Sequence, residues 1–370
     1  MLFQNKSIFN RQVTVWLLIT KYTVLTILLC ACCFYNSYAQ VNGCPDPAAN
    51  NYKNTATVND GSCTYNDVSI KPAFNANLDT KLNETSGLLW WNNQVWTHND
   101  SGGEPALFAV DAATGKITKK VTVSNATNID WEDIAQDNTY IYIGDIGNNA
   151  NGNRRDLKIY KVRKSDVSTK ATVKASIINF SYDDQTNFTP TGSNNTNFDC
   201  EALIAYGDSL FLFSKDWIDN KTRLYKLPKK PGTYKAANIG ELNVQGLITG
   251  ADIIAAKKVI VLTGYNAVVT PFIYLLYDFT GNHFFAANKR KAGISQSFLQ
   301  AEGICAISNT DFYMSNERLQ TLFTTKAKLQ TLNLEKLLNP YYNKVSAKKT
   351  PVVSYSNVQS FKTDGQHESR

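Results

Sequence analysis

Residues 200–216 read CEALIAYGDSLFLFSKD. An acidic residue opens the stretch, an apolar strand follows, Gly207 and Asp208 supply a turn, and a second strand ends in the polar cluster Lys215–Asp216. The same order recurs in NETSGLLWWNNQVWTHND (83–100), WEDIAQDNTYIYIGD (131–145), ADIIAAKKVIVLTGYN (251–266) and AEGICAISNTDFYMSNE (301–317). The opening acids are Glu84, Glu132, Glu201, Asp252 and Glu302, at intervals of 48, 69, 51 and 50 residues. A third strand follows in each copy: ALFAV, LKIYKV, TRLYKL, FIYLLYDF and LFTTKA. KITKKVTV, ASIINFSY and ELNVQGL are candidate fourth strands.

Units of about 50 residues with four strands each predict an all-β fold, a β-propeller. Five blades of about four antiparallel strands account for the copies. Six is the alternative, because the 69-residue interval is long; a loop-like insertion, DDQTNFTPTGSNNTNFD, fills it in the five-blade reading. A β-sandwich is the competing architecture, but it gives no reason for a recurrent acidic start. The segment 67–72, DVSIKP, is expected to close the ring as an outer strand of the last blade. The 19 Tyr and 18 Phe against 2 Met agree with a strand-rich core.

Four regions follow. Residues 1–39 read as an export signal: Lys6 and Arg11, apolar runs broken by Lys21, and SYA before Gln40. A membrane anchor is the other reading of Val13–Tyr35, and LLCACC loosely fits a lipoprotein site at Cys32. Residues 40–65 form a small module rich in turn residues, in which Cys44 and Cys63 are expected to pair in an oxidising compartment. Residues 66–340 form the propeller, and 341–370 a polar, disordered tail. Cys200 and Cys305 either pair or stay buried and free. The formal charge of +7 drops to about +4 without Lys6, Arg11 and Lys21, and no basic block points to nucleic acid. The expected location is secreted or cell-surface, with no membrane contact after signal removal unless a lipid anchors the chain.

In a propeller, the start of strand one and the end of strand two share a face. That face would collect the five acids near the axis, as candidate metal ligands: Glu84, Glu132, Glu201, Asp252 and Glu302. Around them would lie the candidate ligand-binding residues Asp100, Asp145, Lys215, Asp216, Tyr265, Asn316, Glu317 and Arg318. Converging carboxylates need compensation. Oxygen-only donors suit calcium; Lys215 and Arg318 can pair with them; or each can accept backbone N–H groups as a clamp between blades. His98 is the one candidate general base. Trp90, Trp91, Trp131 and Trp217 either pack between blades or offer a sugar platform.

Residues 43–65, GCPDPAANNYKNTATVNDGSCTY, resemble a short two-cysteine module of secreted Bacteroidetes proteins. The larger set ETSGL, HNDSGG, DWEDIA, YIGDIGNN, LFLFSKDW, VQGLITGADI and SNER resembles a group of uncharacterised secreted bacterial propellers, akin in style to phytase-like and SdiA-regulated propellers. The resemblance implies an exported protein. The phytase-like analogy implies calcium held by Glu132, Asp145, Glu201, Asp216 and Glu302, with Lys215 and Arg318 on phosphate. The phytase motifs themselves are missing. The expected function is therefore binding of a small molecule, glycan or protein on the acidic face, calcium-assisted, without catalysis. A calcium-dependent phosphoesterase and a purely structural scaffold are the alternatives.

Overall fold

The structure is a computed structural model that describes residues 16, 20–23, 40–320 and 324–348. The signal and lipoprotein readings, Cys30, Cys32, Cys33 and most of the polar tail with His367 lie outside the described residues. Two units are delimited, 1–42 and 43–370. In the first, Trp16 and residues 20–23 are helical. Among the described residues no helix is long and apolar enough to cross a membrane.

The second unit is all-β, with several sheets. Its strands fall into five four-stranded antiparallel groups. The first comprises Thr85–Trp91, Gln94–Asn99, Ala106–Val110 and Ile117–Val123. The second comprises Trp131–Gln136, Tyr140–Asp145, Lys158–Arg163 and Ser176–Tyr182. The third comprises Cys200–Tyr206, Ser209–Ser214, Lys221–Pro228 and Gly232–Asn243. The fourth comprises Leu247–Ile254, Val259–Tyr265, Pro271–Tyr277 and Asn288–Ile294. The fifth comprises Ala301–Ala306, Asp311–Asn316 and Lys328–Asn333, completed by Ala73–Asn77.

Parallel pairing of Ser176–Tyr182 with Gly232–Asn243 joins the second and third groups into an eight-stranded sheet. Its end strands, Trp131–Gln136 and Cys200–Tyr206, lie side by side, so this sheet is nearly closed. The innermost strands of all five groups neighbour one another in a cycle, the fifth returning to the first.

The core follows from this arrangement. Each apolar layer lies between two successive groups, because these strands are apolar on both faces. Trp96 and Leu107 meet Trp131 and Ile143; Tyr142 and Ile159 meet Leu203 and Leu212; Phe211 and Phe213 meet Ile260 and Leu262. Val261 and Leu275 meet Ile304 and Phe312, and Cys305 and Leu329 meet Leu88 and Phe108. Stacking of this kind removes apolar area from water at about 25 cal/mol per Å².

Three expectations need correction. Segment 67–72 does not complete the last group: Ser69–Ile70 pairs in parallel with Asn288–Ile294 of the fourth, and Ala73–Asn77 does the closing. LFTTKA is not the third strand of the fifth group; Lys328–Asn333 is, the intervening residues forming a short pairing of Leu319–Gln320 with Thr324–Thr325. The boundary at 340 falls inside a helix, Glu335–Lys348, whose Leu337, Leu338, Tyr341 and Tyr342 are buried against the fourth and fifth groups. A polar average over 341–370 hid these two tyrosines.

The small module is stapled by the Cys44–Cys63 disulfide. Asp46 anchors it: its Oδ2 accepts from Tyr65 Oη at 2.7 Å and from Tyr277 Oη of the fourth group at 2.5 Å. Cys200 and Cys305 are both free and buried, and burial raises both thiols well above their usual range.

Candidate functional site

In every group the pairing of strands one and two slips once, near the start of strand one. A β-bulge re-aims the side chain of its extra residue. The residues with side chains within the slips are Ser86, Glu132, Glu201, Thr249 and Glu302, with Gly87 and Gly303 beside the first and the last. Three are carboxylates and two are hydroxyls that tie to the adjacent group: Ser86 Oγ donates to the Glu132 carbonyl, and Thr249 Oγ1 donates to the Ala301 carbonyl at 2.5 Å.

Two expected metal ligands are therefore out of register. Glu84 is exposed, two residues before Ser86. Asp252 lies three residues beyond Thr249, toward the opposite end of its strand. Its Oδ1 accepts from Ile253 N–H and its Oδ2 from Ala306 N–H of the fifth group, both at 2.7 Å. Asp133 does the same more extensively, accepting from Ile134, from Leu203 of the third group and from Ala251 of the fourth at 2.8, 2.7 and 3.2 Å. Asp133 and Asp252 are carboxylate clamps between sheets.

The bulged acids face a cavity of about 170 Å³ lined by Ser86, Asp100, Glu132, Glu201, Glu302 and Glu317, with Lys215, Trp217, Tyr265 and Gln300. Asp130 and Asp199 stand beside it. Oxygens of Asp100, Asp130 and Glu132 come within 4.8 Å of one another, as do those of Glu132, Asp199 and Glu201. Asp130-Trp131-Glu132 and Asp199-Cys200-Glu201 share the spacing D-x-E. Each aspartate stands one residue ahead of its strand and the bulge turns the glutamate toward it, so the shared spacing marks Asp130 and Asp199 as a matching pair.

One cation serves this group from within. Lys215 Nζ sits 2.5 Å from Glu201 Oε2, both side chains being about 95% buried. The ammonium also lies 4.6 Å from the Trp217 ring and 5.2 Å from Tyr265. Burial opposes its charge, but Glu201, Tyr265, Glu302 and Asp199 prevail and hold its pKa well above normal. Asp199 is fixed by Asn148 N–H at 2.6 Å and Trp217 Nε1–H at 2.8 Å.

The remaining carboxyls are under strain from burial first and from one another second. Asp100 is raised to about 6, and Asp130 and Glu317 each to about 7. Glu132, Glu201 and Glu302 rise well above the usual range for the same reasons. Glu132 is 3% exposed, and no hydrogen bond to its carboxylate is found among the described residues. Gly147 lies directly against Glu132 and Asp130, where a Cβ would collide with both carboxylates.

Other expected site residues are placed elsewhere. Asp145 and Asp216 do not line the cavity; Arg154 takes the first at 2.8 Å and Arg223 the second at 2.5 Å. Arg154 reaches Asp145 from the following loop, and Arg223 reaches Asp216 from the strand Lys221–Pro228. Asn316 is buried and holds the Glu317 and Lys326 carbonyls. Arg318 is exposed and donates to Gln320 Oε1. His98 is fully buried edge-on to Trp131 at 5.6 Å, and burial lowers its pKa to about 4. A neutral imidazole outside the cavity lining is not placed to act as its base. Asp100, Lys215, Tyr265 and Glu317 do line the cavity. Of the tryptophans, Trp131 packs in the core and Trp217 reaches the cavity.

No family model matches the chain, and no curated protein does. Among solved structures the chain is similar to one described as "Crystal Structure of Mitotic Checkpoint Complex". Identity is 11% and the TM-score 0.31, over 67% of this chain. The chain spans 63% of the length of that one. A likeness this distant carries no argument about architecture or activity.

Proposed function

We propose that this chain is an exported five-bladed β-propeller that binds a hard divalent cation of the calcium class at its acidic mouth, and through it a ligand, without catalysis. The observation that carries the reading is Glu132, which is buried, has no hydrogen bond to its carboxylate among the described residues, and belongs to both carboxylate triads. A buried carboxylate in that state is costly unless protonated or paired. An all-oxygen donor set suits calcium or magnesium rather than softer metals. Glu132 with Asp100 and Asp130, or with Asp199 and Glu201, would hold the ion. The ion would neutralise the cluster and offer a ligand its open positions.

The five-blade reading is supported by the cycle of innermost strands and by the layer of core between each successive pair of groups. In that reading residues 1–39 are a removed signal and 40–65 a module docked on the fourth blade; the Cys44–Cys63 disulfide agrees with an oxidising destination. The phosphoesterase alternative is less favoured by this site, because Lys215 is already taken by Glu201 and Arg318 points away. The test is a calorimetric calcium titration of the full chain, with a thermal melt in calcium and in EGTA. Saturable binding that is lost in Glu132→Gln, with a melting temperature raised by calcium, is expected. A flat titration rejects the reading. Turnover on a phosphoester panel with calcium would replace it with the hydrolase.

A further inference from the structure

The opposite end of the same strands builds a second and larger cavity, about 830 Å³, between the hairpins of the second, third, fourth and fifth groups. Cavities of roughly 300–1,000 Å³ are the usual size of ligand sites. Its chemistry reverses that of the acidic mouth. Three ammonium groups face it, from Lys161, Lys164 and Lys229. Two carboxylates belong to it, and both are committed: Asp252 to two backbone N–H groups, and Asp137 to Thr139 N–H, Tyr140 N–H and Tyr142 Oη–H, with Lys229 at 3.2 Å.

The lysines are held but not saturated. Lys161 Nζ donates to the Lys229 carbonyl at 2.9 Å, and Lys164 Nζ to Gln136 Oε1 at 2.6 Å. An ammonium has three donors, so each retains donors for a ligand. Burial lowers the pKa of both. Their charges are thus partly stripped of water, and Asp137 is the carboxylate that acts on both while pairing with Lys229. Three aromatic rings line the cavity, Tyr140, Tyr142 and Tyr206, and the Tyr142 hydroxyl is committed to Asp137. Tyr140 lies 4.0 Å from the Lys161 ammonium, and Tyr206 is fixed edge-on by Phe279 and Phe284 at 5.7 and 5.9 Å. Neutral hydrogen-bonding groups complete the wall, among them Asn138, Thr139 and Ser308.

We propose that this cavity binds an acidic oligosaccharide of the uronate class, its carboxylates on Lys161, Lys164 and Lys229 and a sugar face on Tyr140 or Tyr206. Lysines supply point charges suited to carboxylates scattered along a chain, where bidentate phosphate recognition favours arginine. Aromatic rings and neutral amides and hydroxyls suit the apolar face and hydroxyls of a sugar ring.

The test is calorimetry on the full chain in EGTA, which silences any cation at the acidic mouth. The probes are trigalacturonate and uncharged maltotriose. Trigalacturonate should bind, and more weakly at high salt. Maltotriose should not. Lys161→Gln with Lys164→Gln should weaken binding at least about tenfold, the loss expected of one or two charge-assisted hydrogen bonds. Lys71→Gln, an exposed lysine outside both cavities, should leave it unchanged. If the double variant fails to fold, Lys164→Gln alone serves, since Lys164 bonds one side-chain amide. Equal binding of maltotriose, no binding of trigalacturonate, or insensitivity to the lysine changes would overturn the proposal.

Discussion

Glu132 and Asp133 are consecutive residues of one bulge, and each is almost fully buried. Asp133 accepts three backbone N–H groups, one from each of the second, third and fourth groups. Glu132 points into the acidic mouth and meets other carboxylates. Burial raises both carboxyls well above the usual range, but Asp133 has three N–H donors against it and Glu132 has other carboxyls beside it. A carboxylate with matched donors is a structural strut; one without them is a binding group waiting for a cation or a proton.

The largest expected effect lies on the strut side. Asp133→Ala leaves three buried N–H groups without acceptors, at roughly 1–3 kcal/mol each. Unfolding in urea should show a loss on the order of 4 kcal/mol, identical with and without calcium. A calcium-dependent loss would break the distinction between strut and mouth.

Next comes Lys215, the single cation within the mouth. Lys215→Met leaves Glu201 uncompensated, and stripping a partner from a buried ion pair costs roughly 3–5 kcal/mol. That loss should shrink as the pH falls from 8 to 5, because protonation of Glu201 removes the uncompensated charge. A loss that is the same at pH 5 and pH 8 would mean that charge is not what Lys215 supplies.

A smaller effect of opposite sign is expected at Glu132. In EGTA, Glu132→Gln removes a buried carboxyl that can ionise only at a cost and should stabilise the fold slightly, most at high pH. The same variant should lose the calcium-induced rise in melting temperature. Destabilisation in EGTA would place Glu132 with the struts.

The mildest perturbation is pH itself. Asp130 and Glu317 have folded pKa values raised to about 7, and Asp100 to about 6. Raised values mean that the folded state binds more protons, so this stability is present at low pH and is lost as pH rises through the folded values. His98, lowered to about 4, acts oppositely, but only between about 4 and 6.5. Between pH 6.5 and 8 the melting temperature in EGTA should therefore fall, and calcium should flatten the curve. A rise across that window would contradict a strained carboxylate cluster.

Much of the chain was legible as sequence. The recurring pair of strands with its turn located all five groups, and strand two was found in each. The acids were read less well. Counting an acid at each start placed Glu84 and Asp252 beside Glu132, Glu201 and Glu302, although serine and threonine occupy the matching bulge positions. A bulge adds one residue without a compositional mark, so spacing along the chain could not show which acid it re-aims. Asp145 and Asp216 were misplaced for a related reason: the arginines that hold them stand 9 and 7 residues on, across an intervening turn whose path the spacing does not fix.

The alternation of apolar strands and turns, the repeat near 50 residues and the cysteine pair bracketing a turn-rich module are local properties, and the sequence alone determined them. Which carboxylates are struts and which are free was decided only by tertiary structure. Residues 132, 201 and 302 become neighbours when the innermost strands meet in a cycle, and the N–H groups that satisfy Asp133 come from residues 70 and 118 positions away. Charge is written in the chain one residue at a time, whereas its compensation depends on what folding brings within about 3 Å.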